Sequence, residues 1–195
     1  MQRTYVKNEV AWFYRKSGPN WTLSNMAGGM PVYWPMVVAP ENLWRSSEHL
    51  YQAAKYGSGV RIVPASNPGA DPCVRNRIRA QRGPRGAKMT QKCAVAAGLV
   101  REDWEAEEVR LLAMTWVIEV KLACNPEAFG SALADTGDKD IVEISTKDRF
   151  WGCVESSDGT VVGQNNLGRI LMDVRGRMAA VLAGEFSHPD GFLLP

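Results

Sequence analysis

One segment constrains this chain more than any other. From Ala113 to Ala123 it reads AMTWVIEVKLA, apolar on nearly every side of a helix. A helix without a polar stripe cannot lie on a surface, so the rest of the chain must enclose it. Upstream, Val109, Leu112, Trp116, Val120 and Ala123 fall at steps of three and four, and acids crowd the first turns. The spacing predicts a helix from about Arg101 to Ala123. A chain of 195 residues can supply the enclosure as one domain, with a core over about 12–184 and a loosely held tail at 185–195.

The remaining segments predict an α+β domain, mainly helical with a minor sheet. EVAWFYRKSGPN reads as a strand and a turn, and GGMPVYWPMVV as extended edge structure because Pro31 and Pro35 cannot donate to a ladder. The stretch 62–72 is broken by three prolines. A helix starts near Pro72, is interrupted at 83–86, and gives way to another over Ala87–Ala97. NPEAFGSALADTG starts a short helix, DIVEIS is a strand, and 146–168 is a long irregular stretch. The last helix runs from about Asn165 to Ala183, ending at Gly184.

Composition narrows the chemistry by exclusion. Four Cys stand far apart with no paired spacing and there are two His, so no zinc site or other metal is expected. Reduced cysteines, no 20-residue apolar run and no signal-peptide core point to a cytoplasmic protein without a membrane segment. Phosphate-cradling glycine loops are missing: GQNNLG is followed by Arg169-Ile170 instead of Lys and Ser or Thr. No nucleophile elbow occurs either. Net charge is +2, yet Arg75–Lys88 holds six basic residues and no acid, which is either a solvated face or a phosphate contact. An enzyme built from this chain must rely on carboxylates, lysine, amides and aromatic rings.

RSSEHLYQAAKYG, Arg45–Gly57, offers such a set on one predicted helix, capped at Ser46 or Ser47 and ended by Gly57. Glu48, Tyr51, Gln52 and Lys55 fall at i, i+3, i+4 and i+7, hence on one face. An acid in the first turn and a lysine in the last also complement the helix dipole. Their separation, about 10.5 Å along the axis, is too great for an ordinary ion pair but can bracket a sugar ring.

Six motifs in order carry a resemblance: LSN at 23–25, WRSSEHLYQAAK at 44–55, DW at 103–104, KLACNP at 121–126, VEISTKDRFWG at 142–152 and GQNNLGRILMDVR at 163–175. Together they resemble the NADAR (YbiA-like) family over about residues 12 to 177. The resemblance implies an N-glycosidase that cuts a bond between ribose C1 and an amine nitrogen, with no cofactor. Two substrate classes follow from it: phosphoribosyl-amine intermediates of riboflavin biosynthesis, or ADP-ribose on the exocyclic amine of guanine in nucleic acid. LSNMAGGMPV, AKM and the segment 120–152 look closer to the second, in which the enzyme pairs as antitoxin with a DNA ADP-ribosyltransferase. His49 occurs in the riboflavin type.

The chemistry then assigns roles. A carboxylate stabilises an oxocarbenium-like state and an acid protonates the departing nitrogen. A lysine of lowered pKa can instead attack the anomeric carbon and form a Schiff base. Glu48 and Lys55 suit these roles, and Asp148 is either a second carboxylate or a turn residue. Trp104 and Trp151, with Phe150 and Gly152 nearby, either stack a base or belong to the core. Asn165 is either an N-cap or, with Gly163, part of a helix N-terminus that holds phosphate. Ser24 and Asn25 either bond ribose hydroxyls or form a turn. A module that binds ADP-ribose without cleaving it is the remaining alternative.

Overall fold

The computed structural model describes residues 1–187 apart from 16, 58, 62–68 and 70. A five-stranded sheet in the order β1-β7-β6-β5-β2 packs one face against the helices. Its strands are β1 (Arg3–Val6), β2 (Ala11–Phe13), β5 (Ile141–Ser145), β6 (Cys153–Glu155) and β7 (Thr160–Gly163). β5 is parallel to both β2 and β6, whereas β7 runs antiparallel to β6 and β1. Apart from the main sheet, β3 (Val32–Tyr33) pairs with β4 (Leu43–Trp44), so the proline-punctuated aromatic segment is edge structure as expected.

The central helix is α4, Glu107–Cys124, preceded by a 3-10 turn over Glu102–Glu105. From Trp116 to Leu122 every residue is buried, including Glu119 and Lys121, and Trp34 packs edge-on to Trp116 with centroids 4.9 Å apart. Enclosure thus follows the apolar run, while Leu112 of the predicted stripe stays exposed. Around α4 stand α1 (Ser47–Ala53), α2 (Val74–Arg79), α3 (Pro84–Ala96), α5 (Ser131–Ala134), α6 (Asn166–Gly176) and α7 (Met178–Leu182).

Several expectations are corrected. α2 already ends at Arg79, before the glycine-proline step at 83–86, and Pro84 within that step opens α3, since proline suits the first helical position. The stretch 146–168 is not irregular throughout, because β6 and β7 form a hairpin within it. The last helix divides at Arg177, whose guanidinium bonds buried Glu119 and Asp173. The core also begins before residue 12, because Tyr5 of β1 is buried. At the other end Ser187 donates to Glu119 through both its amide and its hydroxyl, which holds the start of the tail. Residues 188–195, and all but 69, 71 and 72 of the proline-broken stretch 62–72, lie outside the described residues.

β5 positions the site. Ile141 faces the helical core, whereas Val142 and Ile144 face a second cluster with Tyr5, Cys153 and Val161 on the other side of the sheet. Strict alternation therefore turns Glu143 toward the helices. A carboxylate occupies a place where a strand of this pattern buries an apolar side chain.

Candidate active site

α1 is extended by six buried residues after its first, Ser47. Ser46 precedes it without capping it through its side chain; its hydroxyl meets His49 Nδ1 at 2.8 Å instead. The other imidazole nitrogen, Nε2, lies 3.1 Å from the Gln81 carbonyl. A carbonyl only accepts, so Nε2 carries the hydrogen, Nδ1 accepts from Ser46, and His49 is a neutral tie between α1 and the segment before α3. Burial lowers its pKa accordingly.

The helix ends at Ala53 with Ala54 as its C-cap, so Lys55 lies beyond it and not in its last turn. The four residues of the predicted face nevertheless converge. Glu48, Tyr51, Gln52 and Lys55 line one cleft of about 380 Å³, together with Ser24, Asn25, Trp104, Asp148 and Trp151. That volume suits a nucleotide-sized ligand.

Electrostatics divide the cleft by function. Glu48 is buried, accepts from Gln52 Nε2 at 2.7 Å, and pairs with the half-exposed Lys88 at 3.4 Å. Burial lowers the pKa of Lys55, Glu48 opposes that shift, and Lys88 adds to it. Its ammonium stands 5.7 Å from the rings of both Tyr51 and Trp104. Glu143, which the sequence reading did not single out, also lines the cleft. Burial, reinforced by Asp148 and Glu48, pushes its carboxyl up to about 8, so it holds a proton at neutral pH. The signal that reveals it is the alternation in DIVEIS, which places Glu143 on the same face as Ile141.

Asp148 is chiefly a turn residue. Its Oδ1 accepts from the amides of Phe150 and Trp151, at 2.9 and 3.0 Å, which shapes the loop between β5 and β6. Trp151, Tyr51 and Trp104 form an aromatic wall, with Tyr51 5.5 Å from Trp104 and 5.7 Å from Trp151. Phe150 supports that wall edge-on from behind and does not line the cleft itself.

Three predicted binding residues are structural. Gly152 and Gly163 permit close approach of backbones: a Cβ on Gly163 would come within 2.1 Å of the Gly152 carbonyl. Asn165 is wholly buried and left-handed (φ 54°), and its amide bonds the Ile141 carbonyl and the Glu143 amide of β5. Nor does the start of α6 offer donors to a phosphate. The amides of Asn165, Asn166 and Leu167 are taken by the carbonyls of Gly152, Phe150 and Trp151.

Ser24 and Asn25 reach the cleft through a clamp. The buried ammonium of Lys121 lies 2.9 to 3.4 Å from the carbonyls of Thr22, Leu23 and Ser24, and 4.1 Å from the centre of the Phe129 ring. Asn125 bonds the Pro31 carbonyl at 2.9 Å, so KLACNP fixes the segment that presents Ser24 and Asn25. Ser47 then donates to Asn25 at 2.8 Å. Replacing Lys121 with Met should cost about 3 kcal/mol, because the Thr22 and Leu23 carbonyls lose their donor, while that of Ser24 keeps the Ala27 amide. Chemical denaturation measures this loss, and an unchanged midpoint would show that the clamp carries no strain-bearing bonds.

A model of the NADAR domain matches residues 12–179. The chain belongs to the NADAR family. Among curated relatives, a riboflavin biosynthesis protein of Vibrio vulnificus is 29% identical over 173 residues, covering 89% of this chain and 40% of that protein. The chain thus spans less than half of the Vibrio protein. An N-glycosidase of Nostoc punctiforme is 28% identical over 145 residues, covering 73% of this chain and 80% of that one. The NMR structure of the Escherichia coli protein YbiA superposes with a TM-score of 0.62 at 22% identity, covering 95% of this chain and 94% of that one. This likeness extends the NADAR assignment to the α+β fold. No helix among the described residues is long and apolar enough to cross a membrane.

Proposed function

We propose that this chain is an N-glycosidase that removes ADP-ribose from the amine of guanine in DNA, acting opposite a DNA ADP-ribosyltransferase. The observation that carries the reading is the company that buried Glu48 keeps: Lys55, whose pKa burial lowers, and Glu143, whose carboxyl is pushed up to about 8, share its cleft. Cleavage of a ribose C1–N bond needs negative charge beside the developing oxocarbenium ion and a proton for the leaving nitrogen. Glu48 supplies the first and Glu143 the second. In the alternative route the sugar is ring-opened to an imine: neutral Lys55 attacks C1, the C1–N bond to the substrate amine breaks as Glu143 protonates that nitrogen, and water hydrolyses the resulting Lys55 Schiff base. The aromatic wall of Tyr51, Trp104 and Trp151 offers a base a stacking surface.

A second reading has specific support. The name of the Vibrio relative, a riboflavin biosynthesis protein, favours a phosphoribosyl-amine of that pathway as substrate, while the Nostoc relative's name supports N-glycosidase chemistry alone. Incubation with guanine-ADP-ribosylated DNA and, in parallel, with the riboflavin intermediates separates the two. Release of free ADP-ribose supports the first, whereas turnover of the intermediates alone replaces it with the second. Binding without turnover of either would leave a non-catalytic module.

The basic run bears on the DNA substrate. Arg75 is spent inside the fold, donating to the Tyr56 carbonyl at 2.8 and 2.6 Å, and Arg79 is held by the Glu41 carbonyl and Asn76. Arg82 and Arg85 are exposed, and beyond them exposed Lys88 and Lys92 reach the rim of the cleft. Neutralising Arg82, Arg85 and Lys92 together should weaken action on DNA and flatten its salt dependence by roughly one unit of slope per lost phosphate contact. Cleavage of a free nucleotide should hardly change. An unaltered salt slope would return the run to a solvated face.

A further inference from the structure

Two polar atoms in the cleft have nothing to bond. Four buried side-chain nitrogen or oxygen atoms lack a hydrogen-bond partner among the described residues: Trp44 Nε1, Gln52 Oε1, Arg110 Nε and Trp116 Nε1. Gln52 and Arg110 line the cleft, the first on α1 and the second on the opening turns of α4. A buried polar atom left unpaired costs about 1–3 kcal/mol, so an acceptor and a donor waiting in one cleft point to a ligand that satisfies them.

Arg110 is the more telling of the two. Its guanidinium lies 4.5 Å from the centre of the Phe150 ring, so its pose is set by an aromatic face and not by a carboxylate. It forms no ion pair among the described residues. The other cations of the cleft differ: Lys88 already faces Glu48, Lys55 stands among rings with its charge disfavoured, and Lys92 is an exposed side chain at the rim. With its Nε unpartnered and no ion pair among the described residues, this guanidinium keeps a fork of donors available to a ligand. That fork matches two oxygens of one phosphoryl group, a geometry a lysine cannot reproduce.

The geometry points to Arg110 as the anchor for a phosphoryl group on the ribose of the substrate, with Gln52 Oε1 accepting from a sugar hydroxyl of the same ligand. This assignment rests on the N-glycosidase reading above, because it sets the phosphate relative to a C1 held between Glu48 and Lys55. Either a monophosphate or the diphosphate of an ADP-ribosyl group presents such oxygens. Phe150 acquires a purpose in this arrangement. It does not touch the base; it holds the anion-binding fork.

Calorimetric titration with ribose, ribose 5-phosphate and ADP-ribose tests the anchor without any bond being cleaved. Wild-type protein should bind at least one phosphorylated probe about tenfold or more tightly than ribose, and R110Q should abolish that advantage. R110K should recover only part of it, since it restores the charge but not the fork. A loss confined to ADP-ribose assigns the site to a diphosphate, and one confined to ribose 5-phosphate to a monophosphate. Equal binding by wild type and R110Q within twofold overturns the proposal, as does a wild type that prefers neither phosphorylated probe. Should R110Q fail to fold, full affinity in R110K overturns the fork. With an active substrate, R110Q should raise KM far more than it lowers kcat. A protein that shows the Arg110-dependent binding but no turnover would keep the anchor and refute the glycosidase.

Discussion

Glu48→Gln and Lys55→Met will each fold normally and lose about 10²-fold or more in kcat, the scale of removing a group that acts in the chemical step. If the two merely tuned the dipole of α1, each would cost under about 1 kcal/mol of stability and leave turnover near normal. Lys55 already weakens the dipole account, because it stands beyond the end of the helix. The double variant should be little worse than the worse single one, since groups within one mechanism are not additive. Borohydride added during turnover should trap the sugar on Lys55, and Lys55→Met should abolish the adduct. Trapping on another lysine, or a fully active Lys55→Met, removes the Schiff-base role and leaves Glu48 alone.

The second large effect belongs to Glu143. Glu143→Gln should lower kcat by roughly 10²-fold, because the leaving nitrogen loses its proton donor. Wild-type activity should fall as pH rises through about 8, where Glu143 ionises, and the variant should lack that limb. The acid limb should remain, because Lys55 must still lose a proton to act. Stability supplies an independent check. A carboxyl whose pKa is raised by folding contributes stability below its unfolded value, near 4.5, and loses it progressively up to about 8. Glu143→Gln should therefore gain stability relative to wild type on going from pH 4 to pH 9. A variant with full activity and an unchanged alkaline limb would transfer the proton to another donor.

How legible was this in the sequence? The apolar run of α4, the edge position of the segment around Pro31 and Pro35, and β5 announced themselves by periodicity and by proline. The β6–β7 hairpin did not, because strands of three and four residues are too short for alternation to stand out among glycines and polar residues. Helical spacing alone puts Glu48, Tyr51 and Gln52 in the cleft, and Lys55 joins them although the helix stops short of it. It could not find Arg110 or Glu143, whose meaning depends on elements far away in the chain. Asn165, Gly152 and Gly163 were misread for a related reason. Polar and glycine residues beside a helix start look alike whether they meet a phosphate or a neighbouring strand, and here they meet the strand. Asp148 shows the same ambiguity, with one carboxylate oxygen committed to its own loop.

The parallel pairing of β2 with β5 sets Ala11 opposite Ile141, so the chain must return across nearly its whole helical content before those strands can meet. Closing so large a loop costs chain entropy, and pairings of this span slow folding. Glu143 is carried on the strand that waits for that closure. Glu48, Lys55 and Arg110 lie within the loop that must close. The cleft therefore draws its charged groups from both the enclosed loop and the strand that closes it. Phe13 of β2 stands opposite Glu143 of β5, so residues 11–13 complete the sheet that carries the cleft's proposed proton donor.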